Sequence, residues 1–221
     1  MHWHQEGSSI VTTADFVRTR EALVRRSVQL NVATLAYNSL EGIVALVAGA
    51  LAGSIALTGF GLDSMIEVAA SLTALWRLRA DVELRRRERA ERVSLRVIGA
   101  LFLALAAYVA GQAAWALYRR EAPSESILGI VIATLSIIVM PLLARAKRRL
   151  ALELRSGALA AESKQTSLCA YLSAILLGGL VLNATIGWWW ADPIAGLAMV
   201  PIIAREGIDG FRGQSACADC C

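Results

Sequence analysis

Histidine, proline, cysteine and charge are all scarce in this sequence. It has two histidines, four prolines and four cysteines in 221 residues, and Asp, Glu, Lys and Arg together make up only 18%. So little proline, with no heptad run, excludes collagen-like and coiled-coil fibres. Three of the four cysteines (Cys217, Cys220 and Cys221) crowd into the last five residues, which is not the spacing of a secreted disulfide framework. Both histidines, His2 and His4, stand at the extreme N-terminus, so no nucleophile–base pair can be drawn from the body of the chain. No GxxxxGK[ST] phosphate loop occurs. The first 30 residues carry Arg18, Arg20, Arg25 and Arg26 and no apolar run of the signal-peptide kind, so no cleaved leader is expected.

What the chain has in excess is apolar side chains. They form 57% of it, and the mean hydropathy is +0.55. Soluble domains usually lie near 45–50% even with glycine included. Disorder is excluded for the same reason. The reading is an all-α polytopic membrane protein, a bundle of six transmembrane helices. The spans are expected at Val28–Leu51, Ser54–Trp76, Leu95–Tyr118, Ile127–Ala144, Gly157–Leu182 and Trp188–Ala204. Each approaches the roughly 20 residues that cross a hydrocarbon core at about 1.5 Å per residue. Residues 1–27 and 208–221 are read as cytosolic flanks of a domain over 28–207.

The basic residues set the expected orientation. Four precede the first span, eight lie between the second and third (Arg77 to Arg96), five between the fourth and fifth (Arg145, Lys147, Arg148, Arg149 and Arg155), and two follow the sixth. The alternate connections hold only Arg119 and Arg120, so nineteen stand against two, with Lys164 inside a span. The positive-inside rule then puts both termini in the cytosol of a cell-membrane protein. The Arg85–Glu91 run alternates in sign and lacks interleaved aromatics. It reads as a solvated helical extension, and no nucleic-acid partner is expected.

Acids inside apolar spans are costly and mark function by default. Asp63 and Glu67 in "GFGLDSMIEVAASL" are spaced i,i+4, which puts both carboxylates on one helix face. Glu162, Thr166 and Cys169 in "AAESKQTSLCAYLSA" share a stripe within about 60°. Glu41, with Tyr37 and Asn38 a turn before it, makes a third polar face. The polar faces of the first and fifth spans should point inward. Plainer readings stand beside these: a buried acid can be a hydrogen-bond partner, Thr166 can bond its own helix backbone, and Cys169 can be a small hydrophobe. Lys164 lies about 200° around the helix from Glu162, so it should pair with an acid on another helix or snorkel.

The order of spans, the DxxxE of the second, the ExxxT of the fifth and "GWWWADPIAGLAM…AREG" around the sixth resemble the transmembrane domain of the cation diffusion facilitator (cation efflux) family. The resemblance covers roughly residues 28–207. It implies a transporter, not an enzyme, that exports a divalent metal in exchange for protons, usually as a homodimer. It also implies a tetrahedral metal site of two residues from the second helix and two from the fifth. Asp63 and Glu67 match the first pair, and Glu162 and Thr166 match the second. The sequence departs from the family pattern at Glu67, Glu162 and Thr166, where Asp, His or Asp, and Asp are usual. Thr is a weak ligand, so Cys169 or Glu41 is a candidate to complete the site. The cytosolic domain the family carries after the sixth helix has no counterpart in the 17 residues after Ala204, so a dimer would use the membrane part. Gly49 and Gly53 form a GxxxG that permits close helix approach. The pair Cys217 and Cys220, with Cys221, could hold Zn²⁺ or Cu⁺. No permanently bound cofactor is expected. The cargo is Zn²⁺, Mn²⁺, Fe²⁺, Co²⁺ or Cd²⁺: oxygen donors suit Mn²⁺, Fe²⁺ or Co²⁺ at least as well as Zn²⁺, and a Cys169 thiolate would move preference to Zn²⁺, Cd²⁺ or another soft ion. A non-transporting membrane metal sensor or scaffold is the alternative.

Overall fold

A computed structural model describes residues 13–79, 84–154 and 157–212, with side chains over 22–72, 93, 96–154 and 162–212. Six helices account for nearly all of it: α1 (Thr13–Ala52), α2 (Ile55–Arg79), α3 (Leu84–Arg119), α4 (Ile127–Leu154), α5 (Gly157–Ile186) and α6 (Ala191–Phe211). No strand occurs among the described residues. Five of the helices are long and apolar enough to cross a membrane. The sixth carries Asp192, Arg205, Glu206 and Asp209 within its 21 residues, which lowers its apolar content but not its place in the bundle.

The connections explain the helix ends. Gly53 turns α1 into α2 with a φ of +66°, and Ser54 N–H closes on the Gly49 carbonyl at 3.0 Å. Ser54 then caps α2, its hydroxyl accepting from Leu57 N–H at 3.1 Å. Ser126 does the same for α4 through Gly129 N–H. Gly187, at φ +71°, ends α5.

Three short connections gather at one end of the bundle. Ser124 N–H donates to the Ala52 carbonyl, and Asn183 Nδ2 donates to the Pro123 carbonyl. Trp115, Tyr118, Trp188 and Trp190 cluster at the helix ends here, and Trp188 stacks on Trp190 with centroids 4.7 Å apart. Tryptophan and tyrosine favour the membrane–water interface. The arginine-bearing connections lie at the other end.

Each helix neighbours two others in a closed ring, in the order α1, α2, α3, α6, α5, α4, and α2 also reaches across to α5 and α6. The interior is mainly apolar, with Leu57, Phe60, Val109, Met140, Leu176 and Met199 fully buried, but it also holds an unusual number of polar groups. Thr34, Asn38 and Glu41 of α1, Asp63, Ser64 and Glu67 of α2, Ser136 and Lys147 of α4, and Thr166 and Ser173 of α5 are all buried. The outside carries Leu40, Ile43, Val47, Leu51, Ile138 and Leu142, all largely exposed. An apolar exterior with polar groups drawn into the interior suits a lipid solvent, where polar groups must find partners within the protein. The polar faces of α1 and α5 do point inward.

Small residues bring the backbones together, since lipid supplies no hydrophobic drive for helix pairing. At Gly99 of α3 an added Cβ would stand 2.7 Å from the Gly207 carbonyl of α6. Gly49 of α1 packs on α2, where a Cβ would meet Thr58 Oγ1 at 2.6 Å, while nothing lies near the Cβ position of Gly53. The GxxxG glycines therefore serve the α1–α2 turn and its packing inside one protomer, and Gly49 is not on a surface for a second copy.

Several helices run beyond the expected spans, α3 beginning at Leu84 rather than Leu95 and α6 ending at Phe211 rather than Ala204. α4 continues ten residues past Ala144, and α1 begins at Thr13 rather than at Val28. The extension of α4 brings Lys147 into the bundle. Lys147 is not a loop charge: it is buried, whereas its neighbours Arg145, Arg148 and Arg149 are exposed. The reason is periodicity. Ser136, Met140, Ala144, Lys147 and Ala151 form the buried stripe of α4, and Lys147 stands three turns and about 20° from Ser136. Losing one charge from the arginine-bearing side leaves the asymmetry intact.

Candidate metal centre

The middle of the ring is built by α2 and α5. Asp63, Glu67 and Cys169 are buried, and one ligand atom from each lies within 4.8 Å of the others. The i,i+4 spacing on α2 presents both carboxylates to the one face that α5 covers. Asn38 Nδ2 from α1 donates to Glu67 Oε2 at 2.7 Å and orients it. No cationic side chain has an ion pair with Asp63 or Glu67 among the described residues. Two carboxylates this close repel each other in a medium of low dielectric, so a cation or protons between them would relieve a real cost.

Glu41 joins from the α1 side. Its Oε2 accepts from Ser64 Oγ at 3.2 Å and lies 3.8 Å from Cys169 Sγ. Its Oε1 has no hydrogen-bond partner among the described residues, although Tyr37 and Ser136 lie near Glu41, and Asn38 Oδ1, Tyr37 Oη and Glu162 Oε2 have none either. Buried oxygens without partners are uncommon and call for a ligand or water. Cys169 thus stands between two acidic groups, Glu41 on one side and Asp63 with Glu67 on the other.

Glu162 and Thr166 are elsewhere engaged. Lys147 Nζ lies 3.6 Å from Glu162 Oε2 and 3.4 Å from Thr166 Oγ1. Thr166 Oγ1 donates to the Glu162 carbonyl at 2.9 Å, the helix-backbone bond typical of threonine. Of the residues singled out in the sequence, the structure brings Asp63, Glu67 and Cys169 into one cluster, sets Glu41 beside it, and sets Glu162 and Thr166 around Lys147. Cys217, Cys220 and Cys221 lie outside the described residues.

A narrow cleft adjoins the cluster between α2, α3, α5 and α6. Asp63 and Glu67 line it with Gln165, Leu168, Ile203 and Glu206. Glu206 lies near the last turn of α6, so the cleft faces the arginine-bearing end. Lys164 is exposed and its charge acts on Glu206, an acid on another helix. The opposite end is tied shut. Asp192 of α6 is buried, accepts from Ser54 Oγ at 2.5 Å and accepts from Ile55 N–H at 2.9 Å. Its carboxylate thereby satisfies the N-terminus of α2, where the helix dipole favours negative charge.

Sequence reasoning missed Lys147 and Asp192. Lys147 had a signal, its register with Ser136 and Met140. Asp192 had none, since an acid beside Pro193 reads as the first turn of its own helix, and nothing local says that it caps α2.

The sequence model of the cation efflux transmembrane domain matches residues 32–213. No curated protein matches the chain.

Proposed function

This chain belongs to the cation efflux family, a family of metal-cation transporters, and from that premise we propose that it moves a divalent transition metal out of the cytosol in exchange for protons. The observation that supports this reading is the meeting of Asp63, Glu67 and Cys169 within 4.8 Å at the centre of a multi-pass bundle. Two carboxylates and a thiol make a mixed donor set. As a thiolate, Cys169 favours Zn²⁺ and Cd²⁺ over Mn²⁺. Glu41, with one oxygen unpartnered, stands ready as a fourth donor.

Binding a metal requires the donors to lose their protons, and release of the metal lets protons return. Exchange follows when the same acids face the two sides in turn. In this structure the Asp192–Ser54 bond holds the short-connection end together, while the cleft past Gln165 and Glu206 faces the arginine-bearing end. With both termini cytosolic, as the arginine distribution argues, metal enters from the cytosol through that cleft. Glu162 and Thr166 form the next polar station on the cytosolic side. By family resemblance the working unit is a homodimer in the cell membrane, joined through its membrane helices, with residues 1–27 and 208–221 as cytosolic flanks.

The test is flux in sealed proteoliposomes with Zn²⁺, Cd²⁺, Mn²⁺ and Co²⁺ measured side by side and an internal pH dye. Coupled metal movement and opposite proton movement are expected. Metal binding with no flux for any of the four ions would instead make the protein a membrane sensor.

A further inference from the structure

Lys147 is the buried cation that the exchange of metal for protons does not use. Its side chain is 2% exposed, and it meets the bundle's polar interior rather than the Arg-rich surface of α4. Its ammonium faces Glu162 at 3.6 Å and Thr166 at 3.4 Å on α5. Its charge also acts on Glu67, a member of the α2 pair. Thr166 is one turn from Cys169 on the same stripe of α5, so the ammonium sits about one helical turn from the cluster.

We propose that Lys147 is a tethered cation that weakens metal binding at the neighbouring cluster, so that the ion can leave. The inference rests on the reading of Asp63, Glu67 and Cys169 as the ion site. Three acids, Asp63, Glu67 and Glu41, and a thiol closely surround that site in a low-dielectric interior. An oxygen- and sulfur-rich cage of this charge would hold a divalent ion too tightly for turnover, and transport needs binding strong enough to load yet weak enough to release. A fixed positive charge one turn away raises the energy of the bound dication directly. Glu162 and Thr166 position the ammonium: the ion pair and hydrogen bond offset its desolvation and keep it on the cytosolic side of the cluster. Lys147 is accordingly a positioning and affinity-setting residue, not a ligand.

The experiment is Co²⁺ titration by isothermal calorimetry on the purified full chain in detergent, with flux measured in parallel. Lys147→Met should bind Co²⁺ at least about tenfold tighter than wild type. Its maximal flux should fall while its half-saturating concentration also falls. Lys147→Arg should rescue the wild-type affinity to within about threefold, since it restores the charge. A second comparison avoids any folding defect from an unpaired Glu162. Lys147→Met/Glu162→Gln, which removes the pair whole, should bind at least about tenfold tighter than Glu162→Gln alone. That comparison decides the matter by itself if Lys147→Met does not fold. Equal or weaker Co²⁺ binding when Lys147 is removed overturns the proposal, because a merely structural lysine cannot tighten binding when lost. Asp63→Ala separates the two readings. If it abolishes Co²⁺ binding and removal of Lys147 tightens nothing, only the tethered-cation proposal fails. If Asp63→Ala binds Co²⁺ as wild type does, the ion site itself is misplaced and both fall.

Discussion

The α2 pair and the α5 pair carry similar chemistry in opposite electrostatic states. Asp63 and Glu67 stand together without an ion-pair partner among the described residues, next to the Cys169 thiol. Glu162 and Thr166 stand together with a lysine already between them. A site in need of a cation and a site that has one therefore lie on facing helices. The comparison teaches that motif position alone does not say which acids are open to an ion. The deciding factor is what a third helix brings, which here is Lys147 from α4.

The largest effect that would sharpen the contrast is loss of function from the unpaired side. Asp63→Ala and Glu67→Ala should each reduce metal flux about a hundredfold or more, since losing even a hydrogen-bond partner behind a metal ligand costs about 10–100-fold. Proteoliposome uptake with protein quantified in the membrane checks it. Normal flux in both variants would break the comparison and move attention to Glu41. The same variants should leave the metal-free protein as stable or more stable by about 1 kcal/mol, since like-charge repulsion and desolvation are relieved. Thermal unfolding in detergent without metal reads this.

Packing between α3 and α6 supplies the next effect. Gly99→Ala drives a methyl group into the α6 backbone and should cost about 1–3 kcal/mol. Gly53→Ala, with open space at its Cβ but a φ of +66°, should cost about 1 kcal/mol through backbone strain alone. Unfolding midpoints compared across the two variants separate crowding from conformation.

Cys169→Ser should change selectivity more than rate. Sulfur replaced by a harder oxygen should lower the ratio of Zn²⁺ and Cd²⁺ flux to Mn²⁺ and Co²⁺ flux by about tenfold. An unchanged ratio would make Cys169 a packed hydrophobe, and the α2 pair would then need Glu41 to close its site. Smallest of all, deleting residues 215–221 should leave maximal flux unaltered and at most raise the half-saturating concentration. Complete loss in a correctly inserted protein would bring Cys217, Cys220 and Cys221 into the pathway.

Much of this architecture was legible in the sequence. Six apolar stretches between arginine clusters read directly as six helices, because spans and flanks differ so sharply in composition. The i,i+4 spacing of Asp63 and Glu67 placed them on one face, and the 162–166–169 stripe placed three donors on another. Which donors would meet was not legible. The stripe on α5 is seven residues long, a rise of about 10 Å, so Glu162 and Cys169 sit at different depths and cannot both reach the same level of α2. Lys147 was hidden among three arginines, and its register with Ser136 and Met140 counts only because α4 runs ten residues past Ala144. Asp192 acts across 138 residues of sequence on Ser54, and no local pattern encodes such a contact. The GxxxG does permit close helix approach, but which helix it meets was not legible: Gly49 packs on Thr58 of its own chain.

X-ray absorption spectroscopy of the Zn²⁺-loaded protein in detergent tests the central claim most directly. The account predicts one sulfur neighbour near 2.3 Å in a shell otherwise made of oxygen. That sulfur should survive deletion of residues 215–221 and vanish in Cys169→Ser, with the oxygen shell lost in the combined Asp63→Ala/Glu67→Ala variant. A shell of oxygen alone in the wild-type chain, or a sulfur that persists in Cys169→Ser, would contradict a site built from Asp63, Glu67 and Cys169.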